Sequence, residues 1–109
     1  MDQSDFLPLG HRVRTRLKLS ETERDRLLGG VLRSGSKSVM FRFHNVTEEN
    51  VGDMFGAFID ALHLGADDEI HADLRFWDPI APIYVLAGQC FDVWYMRTVG
   101  EGTVLEVIS

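Results

Sequence analysis

The segment TEENVGDMFGAFIDALHL, residues 47 to 64, carries the strongest helical pattern in the chain. Thr47 precedes the pattern as an N-cap, and Gly65 follows it as a stop. Apolar side chains recur between them at the spacing of one helix face: Val51, Met54, Phe55, Phe58, Ile59 and Leu62. The segment therefore predicts an amphipathic helix, and the predicted fold must combine helices with strands.

The opposite face of this predicted helix is the candidate partner-binding site. It carries carboxylates, glycines and a histidine: Glu49, Gly52, Asp53, Gly56, Asp60 and His63. A glycine in an exposed helix costs about 1 kcal/mol relative to alanine, so two glycines four residues apart suggest a groove that another chain enters. Clustered carboxylates speed association with a cationic target, so we expect a basic protein partner.

A second pattern, HRVRTRLKL at residues 11 to 19, alternates strictly and predicts a strand. Its outward row is basic: Arg12, Arg14, Arg16 and Lys18. Cations on an edge strand prevent aggregation, which is the first interpretation of this row. The second is attraction to the acidic half of the same protein, and the third is contact with phosphate, nucleic acid or an acidic partner.

The remaining elements follow from local signals. SETE, residues 20 to 23, is a capping box that starts a helix with Leu27, Leu28, Val31 and Leu32 buried. Residues 37 to 46 and 68 to 77 alternate as strands, and a meander follows over 83–87, 90–99 and 103–108 with turns at 88–89 and 100–102. Residues 79 to 88 also fit a short helix capped by Asp78 with Pro79 first.

These elements predict one α+β domain over residues 1 to 109. The expected architecture is a two-layer sandwich of a mixed sheet with two helices on one face, in the order βαβαββββ. The length suits a single domain with a core of its own.

Charge is divided unevenly along the chain, whose net charge is −6. Residues 1 to 42 hold nine basic and five acidic side chains, whereas residues 43 to 109 hold two and twelve. Opposite charges attract, so we expect the two halves to interact. The interaction can form within one molecule, between two copies or through partners.

Enzyme chemistry is the alternative function. His71 and Asp73 share a strand face, and His44 joins them in an iron or zinc site if the second and third predicted strands are neighbours. Cys90 is a candidate nucleophile if a histidine lies beside it. The sequence lacks a glycine-rich phosphate loop, GxSxG and HExxH, so we expect no cofactor and no metal.

Aromatic residues and targeting signals complete the expectations. A sheet face left open by the helices, with Met40, Trp77 or Trp94 on it, predicts a homodimer and offers an aromatic hot spot. The acidic N-terminus, the single cysteine and the absence of a long apolar run predict a cytoplasmic protein without a membrane segment. The predicted function is a small acidic, non-catalytic protein-binding module, such as an inhibitor, immunity protein or adaptor, that binds through residues 47 to 63.

Overall fold

The computed structural model describes residues 10 to 46 and 54 to 108. Six antiparallel strands close into a barrel in the order β1-β4-β3-β2-β5-β6. The strands are β1 (His11–Leu19), β2 (Met40–Phe43), β3 (Phe55–Leu64), β4 (Ile70–Phe76), β5 (Cys90–Trp94) and β6 (Thr98–Val107). The helices are α1 (Glu21–Leu27) and α2 (Ala81–Tyr84), and a 3-10 turn spans Ala66–Asp68. The expected α+β sandwich with two helices on one face is therefore wrong.

The two strands with strict alternation, β1 and β4, are confirmed with their predicted faces. In β1 every second residue from Val13 to Leu19 is buried, and in β4 every second residue from Ile70 to Phe76 is buried. Thr15 is the polar member of the inward row, and its hydroxyl donates to the carbonyl of Ala72 at 2.7 Å. Because β1 pairs with β4 on one side and with β6 on the other, it is not an edge strand.

The predicted helix at residues 47 to 63 is the main error. Residues 47 to 53 lie outside the described part of the chain, and residues 55 to 64 form β3, which pairs with β2 and β4. Phe55, Ala57 and Ile59 point into the barrel with a period of two, and a β-bulge then shifts the register between Ile59 and Ala61. The bulge leaves an extra residue, Asp60, outside the regular pairing.

This bulge explains why the sequence resembles a helix. Phe55 and Ile59 are buried and Leu62 is half-buried, a spacing of i, i+4 and i+7 that a helix face also has. Inward-facing residues of a strand are normally two positions apart. At a bulge the extra residue makes one of these intervals three positions long, which produces the same spacing. Pairing with β4 decides the outcome, since local propensity is weak compared with tertiary context.

The C-terminal part differs in two places from the sequence prediction. Residues 83 to 87 were expected as a strand, but residues 81 to 84 form α2, and the side chain of Asp78 accepts from the Ile80 N–H at 3.0 Å. The alternative of a short helix is confirmed in part: the helix forms, but its N-cap is Ile80 rather than Asp78, and the proline in its first turn is Pro82 rather than Pro79. The expected turn at residues 100 to 102 lies inside β6, and the chain turns instead at residues 95 to 97, where Met96 has a left-handed φ of 64°.

The first predicted helix is confirmed at its start and is shorter than expected. Ser20 caps α1 by accepting from the Glu23 N–H at 3.3 Å, and the helix ends after seven residues. Leu27 and Leu32 are both buried, but Leu32 lies beyond the helix.

The core lies inside the barrel, where five fully buried phenylalanines contact one another: Phe41, Phe43, Phe55, Phe76 and Phe91. Gly102 allows this packing, because a Cβ atom there would lie 2.5 Å from the ring of Phe91. A closed barrel buries its apolar face without a covering helix layer, which is why two short helices suffice.

Candidate functional site

The outer surface of β3 and β4 carries an aromatic cluster, which we call the Trp77 patch: Phe58, Arg75 and Trp77 over Gly56. The indole of Trp77 meets the Phe58 ring edge-on, with centroids 5.1 Å apart. Its six-membered ring also covers Gly56, so that a Cβ atom on that residue would overlap the indole. Trp77 nevertheless remains 46% exposed. The strands therefore hold a large aromatic side chain in place without burying it.

Arg75 stiffens this patch from the side. Its guanidinium lies 4.9 Å from the centroid of the Phe58 ring, within the range of a cation–π contact. The same guanidinium donates to both carboxylate oxygens of Asp60, with Nε to Oδ2 and Nη2 to Oδ1 each at 3.0 Å. Bidentate pairing fixes the plane of the guanidinium as well as its position.

The described members of the predicted partner-binding site, Gly56, Asp60 and His63, lie on strand β3 rather than on a helix face. Glu49, Gly52 and Asp53 lie outside the described residues. Gly56 is covered by Trp77, and Asp60 is paired with Arg75, so neither the groove nor the free carboxylate exists there. His63 lies further along β3, where its ring stacks on that of His71 with centroids 5.3 Å apart.

The basic row of β1 is exposed, and two of its members bind this protein's own acids. Arg14 lies between Asp73 on β4, at 3.4 Å, and Glu106 on β6, at 2.6 Å. Arg16 pairs with Glu69 at 3.1 Å. Lys18 stands opposite Glu101, and Arg12 stands opposite Arg75. The row faces solvent as expected, but the strand is not an edge, and Arg14 and Arg16 also pair with acids of the acidic half.

The catalytic candidates His44 and Cys90 meet on the far side of the barrel. The backbone N–H of His44 donates to the carbonyl of Cys90 at 3.1 Å, and the His44 imidazole Nε2 lies 3.0 Å from Asp92 Oδ1. The Cys90 thiol is exposed and lies 3.8 Å from the hydroxyl of Thr103. A surface cavity of about 360 Å³ adjoins them, lined by Arg16, Lys18, His44, Glu69, Cys90, Glu101, Gly102 and Thr103.

The predicted metal site does not assemble. His44 lies at the end of β2, whereas His71 and Asp73 are on β4, and β3 separates these two strands. Each candidate has another neighbour: His44 has Asp92, His71 has His63, and Asp73 has Arg14. Within residues 10 to 46 and 54 to 108, no three His, Cys, Asp or Glu side chains are grouped to hold a metal ion.

Ion pairs also connect α1 to the turn between β5 and β6. Arg26 Nε and Arg97 Nη2 each donate to Glu23 Oε1 at 3.0 Å. Desolvation opposes ionisation of Glu23, but the hydrogen bonds and charges of the two arginines together outweigh it and lower the pKa of the Glu23 carboxyl. In the same region the hydrogen bond with Asp68 raises the pKa of Arg24.

Sequence reasoning missed the Trp77 patch as a unit. Alternation in residues 68 to 77 correctly placed Arg75 and Trp77 outward. Phe58 and Gly56 were assigned to opposite faces of a helix, so their approach to Trp77 was not foreseen. The glycine itself was a signal, since a glycine inside a strand marks a site where another group approaches closely.

No helix among the described residues has the length and apolar character needed to cross a membrane. Comparison with known proteins finds no family model, no curated protein and no solved structure that this chain matches.

Proposed function

We propose that this protein is a small, non-catalytic protein-binding domain, in the class of inhibitors, immunity proteins and adaptors, and that it contacts its partner through the Trp77 patch. The observation that carries the proposal is Trp77, whose indole packs against Phe58 and Gly56 and remains 46% exposed. A cytoplasmic location belongs to the same proposal, because the single cysteine, Cys90, is free and exposed.

The composition of the patch supports binding. Tryptophan and arginine are the residues most enriched among those that dominate protein interfaces, and an aromatic ring held in one position loses little entropy on association. Phe58 and Arg75 provide that rigidity, because both lie on paired strands rather than on a loop. The proposed contact surface is therefore the outside of the barrel rather than the helix face expected from the sequence.

The test compares two tryptophan variants. Trp77→Ala removes the proposed anchor, and Trp94→Ala removes a half-buried tryptophan from β5, on the opposite side of the barrel from β4. Each variant and the parent are immobilised and exposed to an extract of the source cells, and bound proteins are quantified by mass spectrometry. We expect at least one protein bound by the parent and by Trp94→Ala to be lost with Trp77→Ala.

The recovered partner is then purified and titrated against the three proteins, because direct binding separates a contact from an indirect association. Trp77→Ala should weaken the Kd by at least about tenfold, the usual size of a dominant interface residue. Equal affinity of the three proteins for every recovered partner contradicts the proposal.

A second candidate function is thiol chemistry at Cys90, which the register of β2 and β5 favours because it places His44 opposite this cysteine beside Asp92. A base beside a thiol activates it as a nucleophile. The rate of Cys90 alkylation by iodoacetamide at neutral pH should then fall in His44→Gln. An unchanged rate removes this candidate.

A further inference from the structure

The Trp77 patch lies beside two opposed arginines, and the described acidic side chains pair with only one of them. Arg12 on β1 stands directly opposite Arg75 on β4. Like charges opposite each other destabilise a sheet, and outward side chains in such a pair have Cβ atoms about 5 Å apart. Asp60 neutralises Arg75 from the β3 side, where it accepts two hydrogen bonds from the guanidinium.

Arg12 differs in this respect from its neighbours on the same strand. Arg14 contacts two carboxylates, and Arg16 contacts one. In the part of the chain that the structure describes, no acidic side chain pairs with Arg12. On its β6 side lies Ile108, an apolar residue, whose backbone N–H donates to the Arg12 carbonyl at 2.7 Å.

We infer that the partner of the Trp77 patch presents an acidic side chain next to an apolar one, with the carboxylate on Arg12 and the apolar group on Trp77. This inference rests on the proposed function, since it specifies the partner for the same surface. The two recognition elements lie on neighbouring strands or directly after them, because Arg12 on β1 faces Arg75 on β4, and Trp77 follows β4 two residues after Arg75. An acidic group and an apolar group on one short segment can reach both.

The chemistry favours a carboxylate at this position. A partner carboxylate neutralises the charge of Arg12, which no described acidic side chain pairs, and accepts charge-assisted hydrogen bonds from its guanidinium fork. The expectation of a basic partner rests on three carboxylates, and Asp60, the one of them that the structure describes, is paired with Arg75. A nucleic acid fits this surface less well than an acidic peptide does, because Arg14 and Arg16 are paired with acids and do not extend the positive surface along β1.

The probe is a phage-displayed library of random short peptides, selected in parallel on the parent and on four variants. Trp77→Ala tests the patch, Arg12→Gln removes the free charge and Arg12→Glu reverses it. Arg42→Gln is the matched control, because Arg42 is an exposed, outward arginine on β2, opposite β1 in the barrel. All substituted side chains are at least partly exposed, and far-UV circular dichroism checks that each variant folds.

We expect the parent and Arg42→Gln to enrich peptides that carry Asp or Glu beside an apolar residue, and Trp77→Ala to lose them. For the best synthetic peptide, Arg12→Gln should weaken the Kd about tenfold, a loss typical of one hydrogen bond to a charged group. Arg12→Glu should select peptides with lysine or arginine in place of the acid.

Trp77-dependent peptides that are neutral or basic overturn this inference and leave the proposed function intact. A parent that enriches no Trp77-dependent peptide overturns the inference of a short acidic and apolar segment, whereas the protein-binding function is decided by the titrations with recovered partners. A parent that instead binds a labelled single-stranded oligonucleotide through Arg12 and Trp77 overturns the inference and the protein-binding function together.

Discussion

Gly56 and Trp77 show how one residue without a side chain makes room for the largest one. The indole occupies the space above β3 that a Cβ atom on Gly56 would take. On a helix surface this glycine would lower stability without a visible reason, whereas on β3 it allows the aromatic ring to approach the strand closely. The exposure and orientation of Trp77 therefore depend on a residue on the neighbouring strand.

The Gly56→Ala variant should displace the Trp77 indole toward solvent and lower the free energy of unfolding by about 1 to 3 kcal/mol, as overpacking does. In a Trp77→Ala background the same substitution should have little effect, because the overlapping ring is gone. Urea denaturation of the four proteins in this double-mutant cycle measures the coupling. Equal effects of Gly56→Ala in both backgrounds would show that the two residues are independent.

Glu23 should make stability depend on pH. Its pKa is lowered in the folded protein by Arg26 and Arg97, so its contribution is present above the ordinary pKa of a glutamate and is lost as the pH falls through the lowered value. The parent should therefore lose stability more steeply than Glu23→Gln as the pH falls from about 5 to about 3. Arg97→Gln, which keeps the carboxyl and loses one donor, should fall between them in thermal melts at each pH.

At the scale of the element, β3 is a strand because of what it pairs with. The apolar spacing within its ten residues also fits a helix face, because the β-bulge at Asp60 shifts the inward phase of the strand by one residue. The two alternatives differ at Ala57, which is not among the buried positions of the predicted helix, whereas the barrel buries it to 1% exposure. Ala61 is exposed in the barrel.

The pair Ala57→Asp and Ala61→Asp discriminates between these arrangements. Ala57→Asp should destabilise the protein by about 3 to 5 kcal/mol, because it buries a carboxylate without a partner. Ala61→Asp should change stability by less than about 1 kcal/mol, as surface substitutions do. Chemical denaturation measures both, and equal tolerance of the two substitutions would contradict the barrel position of Ala57.

At the scale of the whole molecule, ion pairs between described residues join the basic and acidic halves of the chain. The described residues carry eleven basic and twelve acidic side chains, so the barrel itself is close to neutral. Basic residues of the first 42 reach acids of the second part, as in Arg14 with Glu106 and Arg24 with Asp68. The homodimer stays a prediction, and its original reason, an open sheet face, disappears because the sheet closes on itself.

Stability should depend weakly on salt through these pairs. Arg14→Gln should cost less than about 1 kcal/mol and reduce the loss of stability when sodium chloride is added, because exposed ion pairs are screened. Arg12→Gln should be neutral or stabilising, since Arg12 lies opposite Arg75. Urea titrations at low and high salt compare them, and a larger cost for Arg12→Gln than for Arg14→Gln would contradict this account of the charges.

The sequence by itself determined β1, β4, the start of α1 at Ser20 and the outward direction of the basic row. Because inward and outward residues alternate strictly over nine residues in β1 and seven in β4, only one orientation of each strand buries its apolar side chains. Capping is equally local, because Ser20 and Glu23 are three residues apart.

Only the tertiary structure decided that residues 55 to 64 form a strand, that the sheet closes, and that His44 and Cys90 meet while His44 and His71 do not. Each of these depends on which strand lies beside which, and strand order is set by contacts between residues far apart in the chain. The Trp77 patch belongs to this second group, because a ring directly after β4 and a glycine on β3 become neighbours only when the two strands pair.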